Sequence, residues 1–161
     1  FQQLLEQYRA PLARLVAVYE RETTERQDLL QDIWLALWKA LPTFRGDCSE
    51  RTFVYRVAHN RAITHASRRR LPAAPLEDAL DIPQPGADVE QHVDANRRRA
   101  LLLAAIRDLP LIQREVVTLS LESLSGREIA EILGITENNV AVRLSRARAA
   151  LSTVIQPEVR R

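Results

Sequence analysis

The 161-residue chain has no methionine, one cysteine, one lysine and four glycines. No stretch approaches the roughly 18 consecutive apolar residues of a membrane span. A single Cys48 excludes an internal disulfide framework and fits a reducing compartment, so a cytoplasmic protein is expected. Aromatics are few, and all eight lie within the first 55 residues. If the chain binds nucleic acid, only its front part can stack unpaired bases on rings. His59 and His65 are six residues apart and have no cysteine pair beside them, which argues against a metal site. The sequence shows no nucleophile–base pair and no phosphate-cradling glycine loop. A protein that is not itself a catalyst and carries no cofactor is therefore expected. The chain opens on Phe1, and preceding residues in the gene product are expected.

What the chain does have is a globular composition, 46% hydrophobic and 27% charged, in a length that suits one ordinary domain or two small ones. Its net charge of +2 conceals three blocks. Residues 1–70 carry +4, residues 71–96 carry −6 with no basic group, and residues 97–161 carry +4. The basic side chains are almost all arginine, the better fork for phosphates and base edges, although GC-rich coding also favours arginine. The acidic middle segment holds four of the eight prolines, which interrupt helices and extend the chain. It reads as a linker between two helical domains, with a short helix near Val89–Asn96 belonging to the second.

In the first block, Leu4, Leu5, Tyr8, Leu12, Leu15, Val16 and Tyr19 recur at helical spacing, and Pro11 is expected to kink or divide that helix. Thr24 and Gln27 have capping-box spacing, so a second helix is expected to open there. Its core stripe is Leu30, Trp34, Leu37 and Leu41, with Ile33 and Trp38 at the edges. The opposite face carries Asp28, Gln31 and Asp32 around a lone Leu35, which is how an apolar anchor with polar orientation looks. A plain solvated face is the alternative. After Pro42, Asp47 and Glu50 have capping-box spacing, which predicts a third helix from near Cys48 to the arginine cluster at 68–70. One side would carry Phe53, Val54, Val57, Arg61 and Thr64. The other would carry Tyr55, Arg56, His59, Ala66 and Arg70, with Asn60 at the border, and could contact phosphates and bases together.

In the second block, residues 98–108 read as a helix stopped by Leu109-Pro110, and residues 111–121 as another that buries Ile112, Val116, Val117 and Leu119. Residues 123–152 are the most informative. Ser125 caps a short helix that buries Ile129, Ile132 and Leu133, with Ala130 small enough for a helix crossing. Gly134 ends it, Ile135 is buried in the turn, and Thr136 caps the next helix. This is the layout of a helix-turn-helix, whose second helix enters the major groove. That helix buries Val140, Leu144, Ala147 and Leu151 and presents Asn138, Val142, Ser145, Arg146 and Ala149, with Arg143 and Arg148 on the flanks.

With both blocks read, the order resembles that of bacterial RNA polymerase sigma factors of the extracytoplasmic-function type (group 4 of the sigma-70 family). Residues 28–63, DLLQDIWLALWKALPTFRGDCSERTFVYRVAHNRAI, look like region 2, and residues 109–151 look like region 4. The resemblance implies an all-α chain of two small helical domains: region 2 over 1–70, an acidic proline-containing linker over 71–96, and region 4 over 97–161. Asp28, Gln31, Asp32 and Leu35 would dock on the β′ clamp helices of core polymerase. Phe44, Arg45, Gly46 and Asn60 would capture an unstacked base of the −10 element, with Ser49, Arg56, His59 and Arg61 near the displaced strand. Thr136, Asn138, Asn139, Val142, Arg143, Ser145, Arg146 and Arg148 would meet the −35 duplex, and region 4 would also sit on the β flap. The acidic linker would thread toward the RNA exit path. An anti-sigma factor is a further partner in many relatives.

The chain departs from the family pattern in three places. Ala141 and Val142 follow Val140 where a basic residue and serine are usual, and Asn138-Asn139 replace a frequent Gly-Thr. In place of the usual hydrogen-bonded readout at the −35 element, Asn138 with van der Waals contacts to thymine methyls would serve. Asp32 stands where glutamate is usual. The competing reading is a stand-alone helix-turn-helix regulator, which has no need of the 28–44 segment.

Overall fold

The computed structural model describes residues 1–69 and 91–159, and every regular element among them is helical. Helices α1 (Gln2–Tyr19), α2 (Thr23–Ala40) and α3 (Glu50–Arg69) pack on one another, with a 3-10 turn over Leu41–Thr43 leading out of α2. Helices α4 (Gln91–Asp108), α5 (Leu111–Leu121), α6 (Gly126–Leu133) and α7 (Glu137–Val159) form the second group. The two groups also meet: α3 lies on α6, and α1 lies on α4 and α5.

Helix α1 runs unbroken through Pro11. Proline removes one backbone bond, a loss of about 3 kcal/mol in an exposed helix. Here Leu4, Tyr8, Leu12, Leu15 and Val16 are buried on both sides of it and hold the axis straight enough to continue. Helix α2 starts one residue before Thr24, and its cap is Glu22, whose carboxylate accepts from the Thr24 and Glu25 amides at 3.1 and 2.9 Å. A carboxylate at a helix N-terminus satisfies two orphan donors and meets the positive end of the dipole, so it displaces the expected threonine cap. Helix α3 is capped two residues later than expected, by Ser49 in place of Asp47, and the Ser49 Oγ accepts from the Thr52 amide at 3.0 Å.

The buried stripe of α2 is Leu29, Ile33, Ala36 and Leu37. Leu30, Trp34 and Leu41 flank it half-buried, and Trp38 lies 60% exposed with the Phe1 ring edge-on at 5.1 Å. The buried stripe is rotated from the expected one toward Leu29, Ile33 and Ala36, with Leu37 common to both. Helix α4 begins at Gln91, so the short helix expected near 89–96 and the one expected at 98–108 are a single element. The linker expected over 71–96 lies outside the described residues as far as position 90, and its last six residues belong to α4.

The helix-turn-helix forms as its sequence directs. Ser125 Oγ accepts from the Glu128 amide while the Glu128 carboxylate accepts from the Ser125 amide, closing a capping box on α6. Gly134 takes φ 67°, the left-handed conformation that costs a residue with a Cβ about 1–2 kcal/mol. Thr136 Oγ1 accepts from the Asn139 amide at 3.2 Å and starts α7. Ile129, Ala130, Ile132, Val140 and Ala147 are buried between the two helices and their neighbours. Ile112, expected inside, is exposed, and Ile135 is only half-buried.

Candidate nucleic-acid interface

Asp28, Gln31 and Asp32 are exposed on α2, and Leu35 among them is 50% exposed. Its neighbours Ala36 and Leu37 are buried, so the backbone beneath this apolar point is fixed by the core. Asp32 Oδ2 lies 3.7 Å from Nη1 of Arg61 on α3, tying the face of α2 to the outer surface of α3.

Between these helices the chain turns at Phe44, Arg45 and Gly46. Gly46 has φ 76°, and Arg45 and Gly46 are exposed. Phe44 is half-buried with its ring 4.6 Å from that of Phe53 at 34°, so its position is set from beneath by α3. Ser49 is exposed, although its Oγ also serves as the helix cap described above. Arg56 is half-buried, and Asn60 and Arg61 are exposed.

His59 and Tyr55 do not share the solvated side with Arg56. Both are buried, with Val54, Ala58 and Ala62. The expected division of α3 fails here because a later part of the chain packs on it: α6 lies on α3, Arg51 and Tyr55 meet Glu122, and His59 meets Glu115. His59 Nε2 lies 3.5 Å from Glu115 of α5, and the Tyr19 ring meets its imidazole edge-on at 6.4 Å. Burial pushes the imidazole down to about 4, leaving it neutral at pH 7.

His65 serves the fold. Glu20, at the C-terminal end of α1, has its side chain 1% exposed. Burial works against its charge, but His65 at 2.8 Å, the Glu22 amide at 3.0 Å and Arg69 bind it, and its carboxyl is held at about 2. Glu20, Glu25 and His65 bring three potential ligand atoms within 4.8 Å of one another, but Arg69 already balances the buried charge.

On α7, Thr136, Asn138, Asn139, Ser145, Arg146 and Arg148 are exposed, Val142 is 39% exposed, and Val140 and Ala147 face inward. Arg143 is drawn partly inward, with Nη1 4.0 Å from Glu115. The outward line therefore has small side chains at its centre and arginines to either side, a shape that fits a major groove between phosphate walls. No helix among the described residues is long and apolar enough to cross a membrane.

Comparison with known proteins agrees with both halves. The Sigma-70 region 2 family matches residues 4–71, and the Sigma-70, region 4 family matches residues 99–151. The chain is 30% identical over 157 residues to the ECF RNA polymerase sigma factor SigM of Mycobacterium tuberculosis, covering 96% of this chain and 76% of that protein. It is 31% identical over 171 residues to the ECF RNA polymerase sigma-E factor of Escherichia coli, covering 100% of this chain and 89% of that one. Among solved structures, CnrH in complex with the cytosolic domain of CnrY superposes with a TM-score of 0.72 at 23% identity, over 98% of this chain and 88% of that one. The sigma factor RpoE in complex with the anti-sigma factor NepR from Bartonella quintana superposes with a TM-score of 0.75 at 21% identity, over 97% and 96%. A capped helix-turn-helix behind a three-helix bundle, matched by both regions in order, settles the family: the chain belongs to the sigma-70 family of RNA polymerase sigma factors, within its extracytoplasmic-function group.

Proposed function

We propose that this sigma factor is a binding subunit that directs core RNA polymerase to promoters through three separate surfaces. Residues 1–70 are region 2, residues 71–96 the connecting linker and residues 97–161 region 4. Asp28, Gln31, Asp32 and Leu35 bind the β′ clamp helices. Phe44, Arg45 and Gly46, with Asn60, take up a base of the −10 element, while Ser49, Arg56 and Arg61 follow the displaced strand. The outward line of α7 reads the −35 duplex while region 4 rests on the β flap. The protein acts in the cytoplasm, and an anti-sigma factor is a further partner, as NepR is for RpoE.

The observation that supports this reading most is the contact of Arg61 with Asp32 beside the exposed Leu35. It makes the docking surface and the strand-binding surface adjoining faces of two packed helices, so that binding polymerase fixes where the melted strand must pass. Melting then exchanges base stacking, a few kcal/mol per step, for stacking on Phe44 and hydrogen bonds in the loop. The test is transcription by purified core polymerase with and without the full chain, on promoters found by mapping new transcript starts after overexpression. Starts that appear only with the protein, sharing two elements of fixed spacing, are expected. No stimulation on any such promoter contradicts the proposal.

A further inference from the structure

The rotation of α7 about its own axis is fixed, and that rotation decides which side chains reach a base. Thr136 Oγ1 accepts from the Asn139 amide at 3.2 Å and sets the first turn. Val140 and Ala147 are 1% and 0% exposed, so the line through them points into the core. At about 100° per residue, Asn138, Val142, Ser145 and Ala149 fall within about 60° of one another on the opposite side. All four are exposed. Arg146 and Arg148, exposed as well, stand about 70° and 90° to either side of that line. The centre of the face is therefore short, because Ser145 and Ala149 are small and let the helix sink into a groove. The longer arginines straddle it toward the two phosphate walls.

Two members of the central line have chemistry that tells bases apart. The Asn138 amide presents a donor and an acceptor side by side. That pair complements N7 and N6 of adenine, and no other base offers the same acceptor and donor together on its major-groove edge. Val142 has only methyl groups to offer, held in one rotamer by branching at Cβ. The apolar group it can meet in the major groove is the 5-methyl of thymine. Asn138 lies in the first turn of the second helix, the part of this motif that contacts base edges. Val142 follows one turn later. Four residues advance about 6 Å along a helix, close to the roughly 6.8 Å of two base-pair steps.

We propose that α7 selects its duplex by two base contacts: Asn138 with the groove edge of one adenine, and Val142 with the 5-methyl of a thymine about two steps away. This assignment rests on α7 as the reader of the −35 element and adds which bases it prefers. Arg146 and Arg148 then supply affinity common to all sequences, and Asn138 and Val142 supply the preference.

The experiment measures competition binding of promoter duplexes to the full-length chain on core polymerase, using promoters found by mapping transcript starts. Each base pair of the upstream element is changed in turn, and each thymine on either strand is replaced singly by deoxyuridine, which lacks the 5-methyl group. The native protein is expected to lose about tenfold or more when one particular A·T pair is changed. Asn138→Ala is expected to bind all four pairs at that position within about twofold of one another. About two steps away, one deoxyuridine is expected to cost the native protein about three- to fivefold, the worth of one buried methyl group. Val142→Ala is expected to be indifferent to that replacement. Each variant keeps the other's preference, whereas damage to the fold of α7 would lower both together. The assignment is overturned if Asn138→Ala retains the native preference at every pair, if no deoxyuridine weakens native binding, or if Val142→Ala retains the deoxyuridine penalty. Failure of the sigma reading is distinct: it shows as a chain that confers no promoter preference on core polymerase in transcription.

Discussion

Nη1 of Arg61 stands 3.7 Å from Oδ2 of Asp32, with both side chains about half exposed. An ion pair so placed contributes at most about 1 kcal/mol to folding. Its interest is positional, because it joins the face proposed for polymerase to the face proposed for DNA. Asp32→Arg is therefore expected to leave thermal stability within about 1 kcal/mol of native and to weaken binding to core polymerase tenfold or more. Titration of fluorescent protein with core enzyme, beside a thermal melt, measures both. Unchanged affinity with an intact fold contradicts the assignment of α2.

Arg146 lies exposed on α7 beside the outward line. If it meets a phosphate, Arg146→Ala weakens duplex binding on many sequences alike. The slope of log affinity against log salt then falls by about one unit. Binding isotherms at several salt concentrations are the measurement, and an unchanged slope shows that this guanidinium is merely solvated.

Glu20 gives a prediction about acid stability. Its folded-state value, about 2, lies below the ordinary 4.5, so the folded protein favours the charged form. The stabilisation is fully present above pH 4.5 and is lost as pH falls from 4.5 toward 2. Glu20→Gln, which leaves His65 and Arg69 without their acceptor charge, is expected to cost about 2–3 kcal/mol at pH 7. Urea unfolding across this pH range tests it: the native protein and the variant converge in acid, and parallel curves contradict the account.

The caps and the turn of the helix-turn-helix are legible in the sequence because their signals are local. Ser125, Glu128, Gly134 and Thr136 each act on backbone within four residues, and each does what its chemistry requires. Helix starts were less legible where a charged side chain outcompeted a hydroxyl, as Glu22 does over Thr24. The face of α3 was misread for a different reason. Tyr55 and His59 look like a nucleic-acid surface until Glu122 and Glu115 meet them, and nothing within α3 announces those partners. The contacts of Arg14 and Arg51 with Glu122 are not legible in the sequence, because each spans more than 70 residues and periodicity carries no information about contacts so distant in the chain.

The most direct test of the central claim is permanganate reactivity of promoter thymines, which reports unstacked bases. With core polymerase and the native chain together, thymines within the −10 element are expected to react, and neither component alone should expose them. Phe44→Ala should abolish that reactivity while core binding and duplex binding persist. A promoter that stays closed with both components present, or one that opens equally well with Phe44→Ala, contradicts the account.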